Sequence, residues 1–255
     1  MECFVINLPS DSARRAAISA QLEALNISFS VFSAVNGKQL GKEELERVYD
    51  RDRAIMESHD LTLGEIGCAL SHLGVYRLMV EKDIPHALIL EDDAMLSDAV
   101  PEVIRLLEQQ YASDTPMVVL LNYVEKFKRL RVKKLGERHQ VVDTYGGVPN
   151  AHAYFITLAA AKNMARGLHP IWLVADRWER FREMKFIQFK ALVPYCVSLT
   201  EHARQSNLTA DRVERMSRYK RGGLYYYLHR YLYKKFIYQL FVRPFQRVTL
   251  QEETW

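Results

Sequence analysis

The stretch ALILEDDAML, residues 87–96, places four apolar residues directly before three acids, Glu91, Asp92 and Asp93. A short apolar run of this kind is typical of a buried strand. In an open α/β sheet, ligands bind beyond the carboxyl ends of the strands. Three adjacent carboxylates at such an end repel one another and lose hydration, which raises their pKa values unless a cation compensates. The stretch therefore predicts a buried strand that ends at a cation site, against the simpler alternative of a solvated turn or a helix cap.

A hard divalent cation such as Mg²⁺ or Mn²⁺ suits carboxylate ligands and takes water or phosphate oxygens as its other ligands. The chain has no Walker Gly-rich loop, which argues against a P-loop NTPase. A receiver domain would carry its acid pair near the start of the chain. A haloacid-type phosphatase needs an aspartate nucleophile where Glu91 stands. A transferase that holds a sugar nucleotide through a metal fits the pattern best.

Strand and helix patterns alternate on both sides of this stretch. Apolar or alternating strand patterns occur at CFVINL (3–8), ISFSVFSAV (27–35), MVVLLNYV (117–124) and AHAYFIT (151–157). Helical patterns run from about Ser10 to Leu25 and from Thr62 to Lys82, where Thr62 and Glu65 have the spacing of a capping box. Residues 125–140 are basic and predict a hairpin or a loop. The alternation predicts an α/β fold with a mostly parallel sheet flanked by helices.

The three cysteines, Cys3, Cys68 and Cys196, are scattered and odd in number. This spacing argues against a disulfide framework and fits a reducing compartment. The first residues lack the pattern of an export signal, and no apolar run reaches the length of a membrane-spanning helix. We therefore expect a cytoplasmic protein.

The C-terminal part of the chain differs in composition from the rest. Residues 215–251 hold nine Lys or Arg, no Asp or Glu, and seven of the 14 tyrosines, whereas the remainder has a net charge of −5. We expect a catalytic domain over residues 1–214 and a basic, aromatic tail over residues 215–255. A helix between Gly222-Gly223 and Pro244 would suit the headgroup layer of an anionic membrane. A helix packed on the catalytic domain and a nucleic-acid-binding segment are the alternatives.

Several blocks, taken in order, resemble glycosyltransferase family 25, the lipooligosaccharide galactosyltransferase type. The resemblance covers roughly residues 2–208, and its most specific part is LTLGEIGCALSH (61–72) followed by the acidic motif. At FSAVNG (32–37), Asn36 stands where the family has aspartate. The other similar blocks are VINLPSDSARR (5–15), AYFIT with AAAKNM (153–164) and VADRW (174–178). The resemblance implies a GT-A-type nucleotide-sugar-binding fold, a divalent metal and inversion at the anomeric carbon.

The resemblance also implies roles for individual residues. Asp93 would bind the Mn²⁺ or Mg²⁺ ion, Glu91 would face the ribose, and His202 would complete the metal shell. Asp176, which follows the apolar IWLVA, is the candidate general base, and an ion pair with Arg177 or Arg180 is its structural alternative. The remaining donor-binding candidates are Asn7, Leu8, Pro9, Arg14, Arg15, Gly64, His72 and Asp92.

Two of these assignments have simpler alternatives. Adjacent helix positions point about 100° apart, so only one of Arg14 and Arg15 need face the donor. Gly64 and Gly67 fit close approach to a ligand, but tight packing would also explain them.

The sequence thus predicts a metal-dependent inverting transferase that moves a hexose, with galactose from UDP-galactose as the family's usual donor. Its acceptor would be a lipid-linked lipooligosaccharide or a related glycan, reached from the inner face of the membrane. A non-catalytic protein that binds glycans or partners on the same fold is the alternative. We expect no nucleic-acid partner.

Overall fold

The computed structural model describes residues 1–145, 148, 150–200 and 248–251. The strands in this part of the chain are β1 (Glu2–Asn7), β2 (Ser30–Ser33), β3 (His86–Glu91), β4 (Ala94–Leu96), β5 (Met117–Leu120), β6 (Lys126–Leu135), β7 (His139–Thr144), β8 (Ala153–Thr157), β9 (Gln188–Val193), β10 (Val197–Leu199) and β11 (Val248–Leu250). The helices are α1 (Ser12–Ala24), α2 (Lys42–Val48), α3 (Arg51–Glu57), α4 (Leu63–Glu81), α5 (Val100–Gln110), α6 (Leu158–Gly167) and α7 (Trp178–Glu183). None of the helices in these ranges has the length and apolarity needed to cross a bilayer.

Nine strands form one sheet in the order β11-β6-β7-β9-β5-β8-β3-β1-β2, and β4 pairs with β10 in a separate ribbon. The pairs β1–β2, β1–β3 and β5–β9 are parallel. Strand β8 lies antiparallel between β3 and β5. The predicted α/β class is confirmed. The expected parallel pairing holds on the β1 side of the acidic strand, whereas β8 on its other side and most pairings of the far half of the sheet are antiparallel, because strand composition does not reveal strand direction.

Two apolar layers cover the faces of the sheet, as the alternation along β1 requires. Phe4 and Ile6 point to the core beneath α4 and α6, while Cys3 and Val5 point to the core beneath α1 and α5. Residues Ala87–Leu90 of β3 are fully buried. A strand covered on both faces can leave polar side chains only at its ends, so the sheet places the three acids at its carboxyl edge.

Helix α4 begins where the sequence predicts. The Thr62 hydroxyl accepts from the backbone N–H of Glu65 at 3.3 Å, and the Glu65 carboxylate accepts from the backbone N–H of Thr62 at 2.9 Å. This reciprocal capping box satisfies N–H groups that the first turn leaves unpaired. It fixes the register of α4, and therefore which of its side chains meet the end of β3.

The basic segment forms a hairpin, β6–β7, with a shift in register between Lys128 and Lys133. Strand β11 pairs antiparallel with β6, with Val248 opposite Lys128. The end of the predicted tail thus joins the edge of the large sheet, which the sequence did not predict. The tail helix expected between Gly222-Gly223 and Pro244 lies outside the described residues.

Candidate functional site

The acids stand at the end of β3, beside the end of β1. Parallel pairing sets Ile6 opposite Glu91, so Asn7 lies next to the turn that holds Asp92. The Asn7 side-chain amide donates to Oδ2 of Asp92 at 2.7 Å and to the backbone oxygen of Asp11 at 3.1 Å. The predicted donor residues Leu8 and Pro9 follow in the turn into α1. The structure therefore brings two sequence-distant candidate blocks together at one edge of the sheet.

Arg14 is the arginine that reaches the acids. Its Nη1 lies 3.4 Å from Oδ1 of Asp92, whereas Arg15, one position on, makes no ion pair with the acidic cluster. The Arg14 side chain is 49% exposed, so this ion pair contributes little to stability. A solvent-facing guanidinium beside a metal-type motif is free to turn toward a phosphate.

Glu91 is held in place by a buried chain of hydrogen bonds. His72 lies 3.1 Å from Oε1 of Glu91 through Nε2 and 2.7 Å from the Tyr154 hydroxyl through Nδ1. The Tyr154 hydroxyl in turn lies 2.8 Å from that of Tyr76. Burial raises the pKa of Glu91, but the hydrogen bond and charge of His72 outweigh it, and the pKa falls below its ordinary value. An ionised Glu91 accepts from the Nε2–H of His72, and a ring that carries its proton on Nε2 alone accepts from the Tyr154 hydroxyl at Nδ1.

His72 is only 2% exposed and lies behind Glu91. The sequence placed it among the donor-binding residues, but the structure gives both of its ring nitrogens to protein partners. In this arrangement the ring positions the Glu91 carboxylate, and Nε2 is its nitrogen nearest the acids.

The Tyr154 hydroxyl offers a direct test of this hydrogen-bond chain. In Tyr154→Phe, His72 and Tyr76 each lose a buried partner, which costs about 1–3 kcal/mol per unsatisfied group. We expect a lower melting temperature and roughly tenfold weaker donor binding, measured by calorimetry, because partners that orient a ligand contribute on this scale. Tyr76→Phe removes only the far end of the chain and should weaken donor binding less. Equal donor affinity in wild type and Tyr154→Phe would contradict the positioning role.

Asp93 differs from its two neighbours because it forms no side-chain hydrogen bond or ion pair with the part of the chain that the structure describes. Its Oδ1 atom is buried and has no hydrogen-bond partner there. Burial, together with the negative charges of Glu91 and Asp92, raises its pKa from 3.8 to about 7. Buried polar atoms are rarely left unpaired in native proteins. A carboxylate of this kind fits a divalent cation, with the oxygens of Asp93 and its neighbours as hard ligands.

The raised pKa of Asp93 predicts how the metal-free protein responds to pH. A carboxyl group whose pKa rises on folding binds more protons in the folded state, so stability falls as pH rises from about 4 to 7. In EDTA at pH 8, Asp93→Asn should therefore unfold at a higher temperature than wild type. A gain of about 2 kcal/mol, discounted for partial exposure of the carboxyl group, would add roughly 4–8 °C.

This stability difference should narrow toward pH 4.5, where Asp93 is protonated in the folded protein. Asp98→Asn, an exposed acid of the same segment, is the matched control and should leave the melting temperature nearly unchanged. A wild-type protein at least as stable as Asp93→Asn at pH 8 would contradict the raised pKa.

Asp176 comes to the same site from a distant part of the chain. Burial raises the pKa of the Cys68 thiol well above 9, and the negative charges of Glu91, Asp176 and Asp93 raise it further. Oδ2 of Asp176 accepts from the backbone N–H of Asn150 at 3.1 Å, and the Trp178 indole donates to the backbone oxygen of Asn150 at 3.0 Å. The charge of the base candidate therefore acts on the same thiol as the charges of Glu91 and Asp93.

The ion pair considered for Asp176 is not formed within the described part of the chain. Arg180 pairs instead with Glu57 at 2.8 Å and with Glu183 at 3.1 Å. Asp176 is therefore held through a backbone N–H group by Oδ2.

The glycines of α4 have different explanations. A Cβ on Gly67 would lie 2.6 Å from the backbone nitrogen of Gly37 and 2.6 Å from the backbone oxygen of Val35, so this glycine permits tight packing. Ser71 reinforces the contact, since its hydroxyl accepts from the Val35 N–H at 2.8 Å. Gly64 is exposed, and a Cβ added there would lie 4.0 Å from the Thr62 hydroxyl. Packing therefore explains Gly67 but not Gly64, which remains a donor-binding candidate.

Asn36, which stands where the resembling family has aspartate, caps a 3₁₀ turn over Gly37–Gln39. Its side chain accepts from the Lys38 N–H at 3.1 Å. This capping is a local structural function.

His152 is a site residue that sequence reasoning missed. Its backbone oxygen accepts from the Glu91 N–H at 2.8 Å, so the two residues face each other across β3 and the start of β8. Opposed residues of an antiparallel pair share a face. Burial lowers the pKa of His152 to about 4, and neither ring nitrogen has a partner. In the sequence, the one feature that pointed to His152 was its position two residues before Tyr154 in a predicted strand, which places both side chains on the same face.

The predicted metal ligand His202 lies outside the described residues. The chain meets the acids shortly before that position, because the Thr200 N–H donates to the backbone oxygen of Asp93 at 3.0 Å.

Sequence comparisons point to one family. The model of glycosyltransferase family 25, described as an LPS biosynthesis protein, matches residues 1–178. A glycosyltransferase 25 family member of Drosophila melanogaster is 37% identical over 94 residues, covering 35% of this chain and 15% of that protein. Procollagen galactosyltransferase 2 of Mus musculus is 33% identical over 96 residues, covering 36% of this chain and 15% of that protein. Inactive glycosyltransferase 25 family member 3 of Mus musculus is 32% identical over 101 residues, covering 38% of this chain and 17% of that protein.

The chain therefore matches about a sixth of the length of these relatives. Among solved structures, the inositol-1-phosphate CTP transferase from T. maritima matches with a TM-score of 0.41 and 11% identity, covering 87% of this chain and 96% of that one. A likeness this distant bears on neither substrate nor mechanism.

Proposed function

This chain belongs to glycosyltransferase family 25, and from that premise we propose that it is a metal-dependent, inverting glycosyltransferase with a nucleotide-sugar donor. The observation that carries the proposal is the buried oxygen of Asp93, which has no hydrogen-bond partner among the described residues, at a strand end that also holds Glu91 and Asp92 and that Arg14 of α1 approaches. A divalent cation bound there, Mn²⁺ or Mg²⁺, would supply charge neutralisation for a departing diphosphate. Asp93 would hold the ion, and His202 is the proposed second ligand.

The residues around Asp93 have separable functions in this scheme. Glu91, oriented by His72, accepts hydrogen bonds from the donor's ribose hydroxyls. Arg14 binds a phosphate oxygen when it leaves Asp92. Asn7 keeps Asp92 in place, and exposed Gly64 lets the donor approach the start of α4.

Inversion needs one base that deprotonates the acceptor hydroxyl as it attacks the anomeric carbon. Asp176 suits this step because its charge acts on the same Cys68 thiol as the acidic motif and Oδ2 holds the loop through the Asn150 N–H. The proton moves from the acceptor hydroxyl to Oδ1 of Asp176, and the sugar–diphosphate bond breaks as the new glycosidic bond forms.

We propose galactose from UDP-galactose as the donor and a lipid-linked lipooligosaccharide as the acceptor. The names of the procollagen galactosyltransferase relatives and the family's LPS description support this choice. Screening nucleotide sugars for Mn²⁺-dependent hydrolysis tests the donor. Hydrolysis of a different UDP-sugar would change the sugar assignment, while no turnover of any donor would contradict the catalytic proposal.

Thermal unfolding with UDP and Mn²⁺ separates the proposal from its rivals. A transferase is stabilised by UDP and Mn²⁺ together and then turns over a donor. An inactive glycan-binding protein, the alternative raised by the inactive mouse relative, would fail to turn over any donor. A nucleic-acid binder would respond to neither UDP nor Mn²⁺.

We also propose that the basic tail binds an anionic membrane surface, where a lipid-linked acceptor resides. Deleting the tail is an unsuitable test, because it would remove strand β11 from the sheet. The variant Arg230→Glu/Lys234→Glu/Lys235→Glu keeps the full chain. Each basic residue near the surface contributes about 1 kcal/mol. In a sedimentation assay at low salt, the affinity of the variant for 3:1 phosphatidylcholine:phosphatidylglycerol vesicles should therefore be at least about 100-fold below that of wild type.

The control is a variant of the described domain with three charge reversals, Lys38→Glu/Lys42→Glu/Lys82→Glu. It should sediment with the vesicles nearly as well as wild type. Wild-type protein that ignores such vesicles at low salt, where attraction is strongest, would overturn the membrane proposal.

A further inference from the structure

One group of side chains at the site has donor atoms of a different kind. Cys68 and His72 lie one helical turn apart on α4, and both side chains point to Glu91. The thiol sulfur, a ring nitrogen and a carboxylate oxygen of these three residues all lie within 4.8 Å of one another. We propose that Cys68, His72 and Glu91 form a second cation site that takes a thiophilic divalent ion such as Zn²⁺, and that filling it blocks donor binding.

The spacing of the donor atoms is close to that of a tetrahedral zinc site. Sγ of Cys68 lies 4.0 Å from Oε1 of Glu91, and Nε2 of His72 lies 3.1 Å from the same oxygen. Zinc bond lengths of about 2.0–2.3 Å imply ligand separations of about 3.3–3.6 Å. Shifts of less than about 1 Å for each side chain would therefore close the site. Three protein ligands leave a fourth position for water.

The surroundings favour a soft cation at this point. Tyr154 lies at Nδ1 of His72, the place where metal-binding histidines usually have an orienting partner. Glu91, Asp176 and Asp93 surround the thiol with negative charge, which attracts a cation. The sulfur and imidazole donors select Zn²⁺ over Mn²⁺, whereas the carboxylates of Asp92 and Asp93 do the reverse. The Cys68 residue has solvent-exposed surface, although the protein packed around its thiol raises the thiol pKa, so an ion can enter from the solvent side.

Zinc binding to these three side chains needs no further reactant. The Cys68 thiol releases its proton to solvent as the sulfur–zinc bond forms. The proton of His72 moves from Nε2 to Nδ1, where it is donated to the Tyr154 oxygen, and Nε2 then binds the ion. Tyr154 keeps its own proton for Tyr76, so the buried chain reverses direction without losing a hydrogen bond.

The inhibitory part of the inference rests on the proposed function, because it requires Glu91 to face the donor. A zinc ion on Glu91 would remove that acceptor from the ribose. We therefore expect Zn²⁺ to raise the apparent KM for the donor in Mn²⁺-saturated enzyme, without a matching fall in kcat.

Thiol alkylation tests the site itself on the full-length, reduced wild-type protein. Cys3 and Cys196 are buried, so iodoacetamide should modify Cys68 first. Equimolar Zn²⁺ should slow this modification at least about tenfold, while the same concentration of Mn²⁺ should not. Cd²⁺ should give one equivalent of thiolate charge-transfer absorption, lost in Cys68→Ser and retained in Cys196→Ala. Unchanged alkylation in Zn²⁺, or Cd²⁺ absorption that survives Cys68→Ser, would overturn the site.

The two proposals fail in distinguishable ways. If UDP and Mn²⁺ stabilise the wild-type protein but Zn²⁺ does not protect Cys68, only the second site is wrong. If Zn²⁺ protects Cys68 and UDP with Mn²⁺ has no effect, the transferase proposal is wrong and the zinc site stands. Asp93→Asn should keep zinc protection of Cys68, since Asp93 is not one of the three ligands.

Discussion

Asp93→Asn should abolish sugar transfer while the protein stays folded. An amide oxygen is a much poorer ligand for a hard cation than a carboxylate. Neutralising a departing diphosphate is worth several kcal/mol, and each 1.4 kcal/mol changes the rate tenfold. We therefore expect a loss of at least about 10³-fold in kcat, together with loss of the stabilisation that UDP and Mn²⁺ give the wild-type protein.

The control for this experiment is Asp98→Asn, which removes an exposed charge from the same segment. It should transfer sugar at close to the wild-type rate. The expected stability of Asp93→Asn in EDTA at pH 8 separates a chemical effect from unfolding, because an unfolded variant could not melt above wild type. Full activity of Asp93→Asn in EDTA-treated buffer would refute the metal hypothesis.

Asp176→Asn should lower kcat by about 10²–10⁴-fold, the usual contribution of a general base. The asparagine oxygen can still accept from the Asn150 N–H, so the loop keeps its hydrogen bond. Donor affinity should change little, since Asp176 acts on the acceptor. The measurements are kcat with a saturating acceptor and the Kd for UDP in Mn²⁺.

Glu179→Gln is the matched control, because it neutralises an acid on α7 three residues away without entering the scheme. It should leave kcat within about twofold. An unchanged rate in Asp176→Asn, or a loss confined to donor affinity, would assign the base to another residue.

Local patterns in the sequence were enough to predict the part of the fold that carries the acids. The apolar run before Glu91 predicted buried β3, and the Thr62–Glu65 spacing predicted the start of α4. Both signals arise from interactions within a few residues, namely burial along a strand and capping of one helical turn. The blocks around them also identified the family, which the match over residues 1–178 confirms.

Strand order and side-chain partners depended on contacts between distant segments, which local patterns do not encode. The antiparallel insertion of β8 brought His152 and Tyr154 beside β3, and the pairing of β11 joined the tail's end to the sheet. The register along β1 and α1 places Arg14, and not Arg15, within reach of Asp92.

The tertiary structure also decided what each predicted site residue can do. It placed His72 behind Glu91, within hydrogen-bond distance of the carboxylate, and it brought the charge of Asp176 to the same Cys68 thiol that the acidic motif affects. The sequence by itself determined that a buried strand must end in three acids with uncompensated charge. Only the tertiary structure decided that α4 supplies a partner for Glu91 and that β1 and α1 supply partners for Asp92, while Asp93 keeps a buried oxygen with no partner among the described residues.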